Sequence, residues 1–101
     1  MARLIYAARA FADLERLTDF LLDTDPKAAA ETVYLIEEAV SLLTNHPLVG
    51  RQVEHELREL VISRGNTGYV ALYSFEAKED VVLILAIRHQ REAGYWEPEN
   101  G

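Results

Sequence analysis

The residues best suited to chemistry fall in one stretch, ILAIRHQREAGYW, residues 84–96. It opens apolar, places Arg88, His89, Gln90 and Arg91 in succession, and closes on Tyr95 and Trp96. An imidazole can pass protons near neutral pH. Guanidinium groups can hold developing negative charge, and paired aromatics can anchor a partner. The stretch therefore fits an active site, a docking surface or the polar end of a core strand. His89 is the one histidine that follows a strand-like run and sits beside arginines. We read it as a strand-end residue hydrogen-bonded to backbone, and keep catalysis as the alternative. Tyr95 and Trp96 read as a tail packed back on a sheet, buried body with a polar tip; a partner contact is the alternative. Arg58 stands in an apolar run beside Leu60 and Ile62. Either it lies at a rim or pairs with a carboxylate, Glu59 and Glu76 being candidates by proximity, or it joins Arg88 on a shared polar surface.

The remaining chemistry is sparse. His46 belongs to the turn Asn45-His46-Pro47, and His55 has no patterned neighbour. The three histidines do not have metal-site spacing, so no metal is expected. Ser41, Ser63 and Ser74 lack a nucleophile elbow. Gly65 and Gly68 bracket a turn and not a phosphate loop, so no cofactor is expected either. There is no cysteine, which excludes disulfide and thiolate chemistry. The net charge is −7, with ten acidic against five basic residues in positions 1–56. Such a chain is a poor non-specific ligand for nucleic acid, and direct DNA binding is not expected. No apolar run approaches membrane-spanning length, and the N-terminal MARLIYAARAFADLERL does not read as a signal peptide. A cytoplasmic protein without membrane contact is expected.

These residues need elements to position them. The 101 residues suit one domain over the whole chain, 1–101. RLIYA (3–7) reads as a strand. Phe11, Leu14, Leu17 or Thr18, and Leu21 mark the apolar face of a first helix, with Asp13, Glu15, Arg16 and Asp19 off it. Asp25-Pro26 predicts a capped start to a second helix, whose buried face is Val33, Ile36, Val40 and Leu43. HPLVGRQVEHE (46–56) has no clear period and reads as a linker. LRELVIS (57–63), GYVALYSFEA (68–77) and DVVLILAIR (80–88) read as three strands joined by tight turns, hence antiparallel hairpins. Tyr69, Ala71, Tyr73 and Phe75 share one face. In the last strand Val81, Leu83, Leu85 and Ile87 face one way and Val82, Ile84 and Ala86 the other. With both faces apolar, the side away from the helices needs a cover: the C-terminal tail, strand curvature or a partner. The order β-α-α-β-β-β predicts an α+β domain, a helical hairpin packed on an antiparallel sheet with a short C-terminal tail.

This order, carried by AFADLERLTDFL, HPLVGR, LRELVISRGNTGYVALYSF and VVLILAIRHQREAGY, resembles the RelE/ParE toxin superfamily of type II toxin–antitoxin systems. The resemblance covers nearly the whole chain and implies two alternatives. RelE-like members are ribosome-dependent endonucleases that cut messenger RNA. ParE-like members share the fold but poison DNA gyrase. Both are neutralised by a partner antitoxin, here expected to be ParD-like with a ribbon-helix-helix DNA-binding domain. RelE-like members supply several Lys and Arg and a C-terminal Tyr on a basic surface. This chain has only Lys27 and Lys78, and Glu54, Glu56 and Glu59 stand where lysines would serve a nuclease. The groups left for cleavage are Arg64, Arg88, Arg91 and Tyr95, in surroundings that oppose docking to ribosomal RNA. The resemblance together with these charges implies a ParE-like toxin that inhibits gyrase and growth by protein–protein contact. Arg58, Arg88, His89, Arg91, Tyr95 and Trp96 are the expected target-binding residues. The acidic helical hairpin predicts an antitoxin that brings Lys and Arg to the helices and apolar anchors to the sheet.

Overall fold

The structure, a computed structural model, describes residues 1–64, 67–92, 94 and 95, with Arg64 and Thr67 described in the backbone only. Trp96 and the Gly65-Asn66 turn lie outside the described residues. The elements are β1 (Arg3–Tyr6), α1 (Ala8–Leu22), α2 (Pro26–Ser41), a 3-10 turn (Leu42–Thr44), β2 (Arg51–Glu54), β3 (Leu57–Arg64), β4 (Thr67–Glu76) and β5 (Val81–His89). The strands form one sheet in the order β1-β5-β4-β3-β2. Two helices on a sheet is the expected α+β arrangement.

Two features depart from the expected antiparallel sheet. First, β1 runs parallel to β5, with Arg3 opposite Val81 and Tyr6 opposite Ile84, so the sheet is mixed. Second, the reach read as a linker contains β2, which pairs antiparallel with β3. All four residues of β2 are exposed, so no alternation of burial marks it. His55 turns the chain from β2 into β3 with φ 45°, and Asp80 turns it into β5 with φ 54°.

The second helix forms as its sequence requires. Asp25 accepts from the Ala28 N–H at 3.2 Å, and Pro26 takes the first helical position. Ile36, Val40 and Leu43 are buried against Ile62, Tyr69, Ala71, Tyr73, Val82, Ile84 and Ile87. The first helix is rotated from its expected face. Ala10 and Asp13 are its buried residues, Leu14 and Leu17 pack beside them, and Phe11 is exposed, stacked on Tyr6 with centroids 5.2 Å apart.

The last strand breaks its own alternation. Tyr73 pairs with Ile84 but Leu72 with Ala86, which leaves Leu85 as an extra residue. Such a bulge exchanges the faces of everything beyond it. Val82 and Ile84 lie on the helix-covered face before the bulge. Past it, Ile87 opposite Ala71 and His89 opposite Tyr69 take that face, while Ala86 and Arg88 turn to the other. The uniform parity expected for Val81 to Ile87 therefore fails at Leu85. The bulge also decides where the charged end of the strand points.

Candidate functional site

The end of β5 is built from side chains more than from strands. β1 ends at Tyr6, and Ala7 makes the last bond of that edge, its N–H donating to Ile84 O at 2.8 Å. Beyond it the chain enters α1, so the N–H groups of Ile87 and His89 have no neighbouring strand. Buried donors left without acceptors cost about 1–3 kcal/mol each. The fully buried Asp13 of α1 accepts from Ile87 N–H at 2.8 Å. Glu92 folds back to accept from His89 N–H at 2.8 Å. Arg16 joins the two carboxylates, at 2.8 Å from Glu92 Oε2 and 3.4 Å from Asp13 Oδ1. Sequence reasoning placed Asp13 on the solvent side. No pattern in α1 reveals its role, because the demand for an acceptor comes from a strand 74 residues away.

Arg88 organises the turn that follows. Its Nη1 donates to the carbonyls of His89, Gln90 and Glu92 at 3.3–3.4 Å. Its guanidinium lies over the Tyr95 ring, 5.2 Å from the centroid. The His89 Nδ1 accepts from the Arg91 backbone N–H at 3.0 Å, and its ring edge meets Tyr69. His89 thus contacts backbone as read from the sequence, on the helix-covered face.

The opposite face is partly covered by the tail. Tyr95 Oη donates to Glu59 Oε2 at 2.5 Å, and Arg51 holds the other carboxylate oxygen at 2.8 Å. Val70 and Ala86 are buried on this face, whereas Val61 is 48% exposed. Burial raises the pKa of the Glu59 carboxyl, but the bonds from Tyr95 and Arg51 and the charges of Arg51 and Arg88 outweigh it and hold the group below its usual range. The Tyr95 phenol is pushed well above its usual value by burial, then by its bond to and the charge of Glu59, against the opposing pull of Arg88. It stays protonated across the physiological range.

Arg58 is elsewhere. It pairs opposite Tyr73, on the helix-covered face, and its Nη1 donates to Leu48 O at 3.1 Å and Gly50 O at 2.8 Å. Neither expected carboxylate holds it, because two loop carbonyls lie nearer. Arg88, opposite Val70, points from the other face, so the two arginines share no surface. Tyr73 completes this loop: its hydroxyl accepts from Gly50 N–H and donates to Pro47 O, both at 2.8 Å. A Cβ at Gly50 would lie 2.7 Å from Glu59 O, which explains the glycine in HPLVGR. Of the expected target-binding residues, the structure brings together Arg88, His89, Arg91 and Tyr95 and sets Arg58 apart. The Arg64 side chain and Trp96 lie outside the described residues. Among the described residues there is no metal-ligand cluster, and no helix is long and apolar enough to cross a membrane.

Known proteins share this arrangement. Residues 4–94 match the family model described as the ParE toxin of type II toxin–antitoxin system, parDE. The chain is 38% identical over 84 residues to Toxin RelE3 of Caulobacter vibrioides, covering 83% of this chain and 89% of that protein. It is similar in structure to the chromosomal ParDE TA system from P. aeruginosa, with a TM-score of 0.72 and 26% identity over 88% of this chain and 96% of that one. The isolated E. coli RelE toxin, 10% identical, shares the fold with a TM-score of 0.62 over 92% of this chain and 88% of its own.

Proposed function

This chain belongs to the ParE toxin family of type II toxin–antitoxin systems, and from that premise we propose that it acts by binding DNA gyrase and not by chemistry of its own. The observation that carries this reading is the commitment of its most nuclease-like groups. Arg88 is engaged with three carbonyls and the Tyr95 ring. The Tyr95 hydroxyl donates a hydrogen bond to Glu59. A phenol held far above its usual pKa is a weak acid, and the Glu59 carboxylate beside it repels a phosphate. Lysine is confined to Lys27 and Lys78, and the −7 charge opposes docking on ribosomal RNA. The end of β5 instead presents His89 and Arg91 on a braced turn, suited to contact with another protein.

The toxin acts in the cytoplasm, where a cognate antitoxin neutralises it. The similarity to a ParDE system supports a ParD-like antitoxin with a ribbon-helix-helix domain. The acidic hairpin, with Glu37 and Glu38 exposed on α2, suits an antitoxin tail bearing Lys and Arg. That affinity falls as salt rises; an affinity indifferent to salt contradicts the charge pairing. The gyrase reading is tested by supercoiling and cleavage-complex assays. Micromolar toxin is expected to block supercoiling and accumulate cleaved DNA, and no effect on either sinks the reading.

A further inference from the structure

Between α1 and the end of β5 lies a cleft of about 580 Å³. Its apolar floor is Leu17, Leu21 and Tyr69, and Phe20, His89 and Arg91 stand on its rim. Phe20 is 76% exposed, a large aromatic left in water at the edge of an apolar depression. The charges around the cleft are not balanced. Arg16 and Glu92 close one end by pairing with each other. Arg91 has no ion pair among the described residues, and its only hydrogen bond there uses the backbone N–H. That bond occupies His89 Nδ1 as an acceptor, so in the neutral ring Nε2 carries the proton and is a donor.

We propose that this cleft docks a partner segment carrying a bulky apolar side chain beside a carboxylate. The apolar group covers Phe20 and fills the floor over Leu17, Leu21 and Tyr69. The carboxylate meets the Arg91 guanidinium and the His89 Nε2–H, a charge-assisted contact with a planar fork. The chain's −7 charge repels an acidic segment from the rest of the surface, which leaves the rim cation as the local place for its carboxylate. The inference rests on reading the β5 end as the target-contact surface, and it names the chemistry that surface accepts. The bracing of the turn by Asp13, Arg16, Glu92 and Arg88 holds the rim in place before binding, which lowers the cost of ordering it.

The test uses the isotope-labelled full chain and two capped synthetic peptides, one with Phe between two glutamates and one with Phe between two lysines. The acidic peptide is expected to shift the His89, Phe20 and Tyr69 resonances in a saturable way, and the basic one to bind about ten-fold more weakly. Arg91→Glu is expected to reverse that preference. Phe20→Ala, at an exposed position, is expected to weaken both peptides several-fold with the fold intact. Equal binding of the two peptides, or no shift from the acidic one, overturns the proposal. Gyrase takes no part in this readout. A chain that selects the acidic peptide but leaves gyrase unaffected refutes the gyrase reading and keeps the cleft; gyrase inhibition without peptide selectivity does the reverse.

Discussion

The two halves of β5 solve the same problem with different materials. From Val81 to Ile84 the strand has a backbone neighbour on each side, β1 and β4. From Ala86 to His89 it keeps β4 but loses β1, and two carboxylates stand in for the missing strand. Backbone pairing places few demands on residue type. Side-chain pairing needs particular residues on α1 and in the tail, and it fixes a particular turn. The first half is held by backbone on both edges. The second half is held on one edge by side chains, and it carries the residues proposed to face a partner.

Several substitutions sharpen or break that contrast. Ile84→Ala, in the backbone-supported half, removes a fully buried side chain and is expected to cost about 3–4 kcal/mol. The loss should appear as a lowered urea midpoint with the order of amide exchange preserved. Asp13→Ala deletes the buried acceptor and is expected to cost about 2–3 kcal/mol. Its signature is uneven: the amide of Ile87 gains exchange rate beyond the global loss. If it does not, Asp13 is no substitute for the missing strand. Glu92→Gln keeps an acceptor for His89 N–H but loses the charge facing Arg16, and about 0.5–1 kcal/mol is expected at this partly exposed site.

The smallest effect belongs to the tail. Tyr95→Phe removes the bond to Glu59, and a midpoint change worth about 0.5–1 kcal/mol is expected. The pH dependence follows from the two opposed shifts. Glu59 is held below its ordinary 4.5, so its contribution is present above that value and is lost as pH falls through the lowered one. Tyr95 is held above its ordinary 10.0, so its contribution is present below that value and is lost as pH rises through the raised one. Tyr6, Tyr34 and Tyr73 are raised as well, but Tyr95 is shifted furthest, so the latest-titrating phenol in tyrosinate absorbance should disappear in Tyr95→Phe. An unchanged titration curve means the phenol is not held on the sheet.

What the sequence disclosed follows from how local each cause is. The cap at Asp25, the face of Ile36, Val40 and Leu43, and the need for some cover on the outer face all rest on neighbours a few residues apart or on strand parity. β2 escaped because an edge strand exposed along its length has no alternation to read. The Leu85 bulge escaped because an extra residue leaves no mark in a run where every residue is apolar. Asp13 and Arg58 were misplaced for a related reason: their partners are a strand amide and two loop carbonyls, groups that every residue carries and that no spacing reveals. Arg88 and Tyr95 both stood in the stretch singled out for chemistry, yet only their geometry shows each engaged with the other.

Primer extension on a message translated in the presence of the toxin separates a braced docking edge at the β5 end from a nuclease site. A docking edge leaves full-length product with no new ends, from a preparation that inhibits gyrase. Codon-positioned cuts that vanish in Arg91→Ala would mean a nuclease site instead.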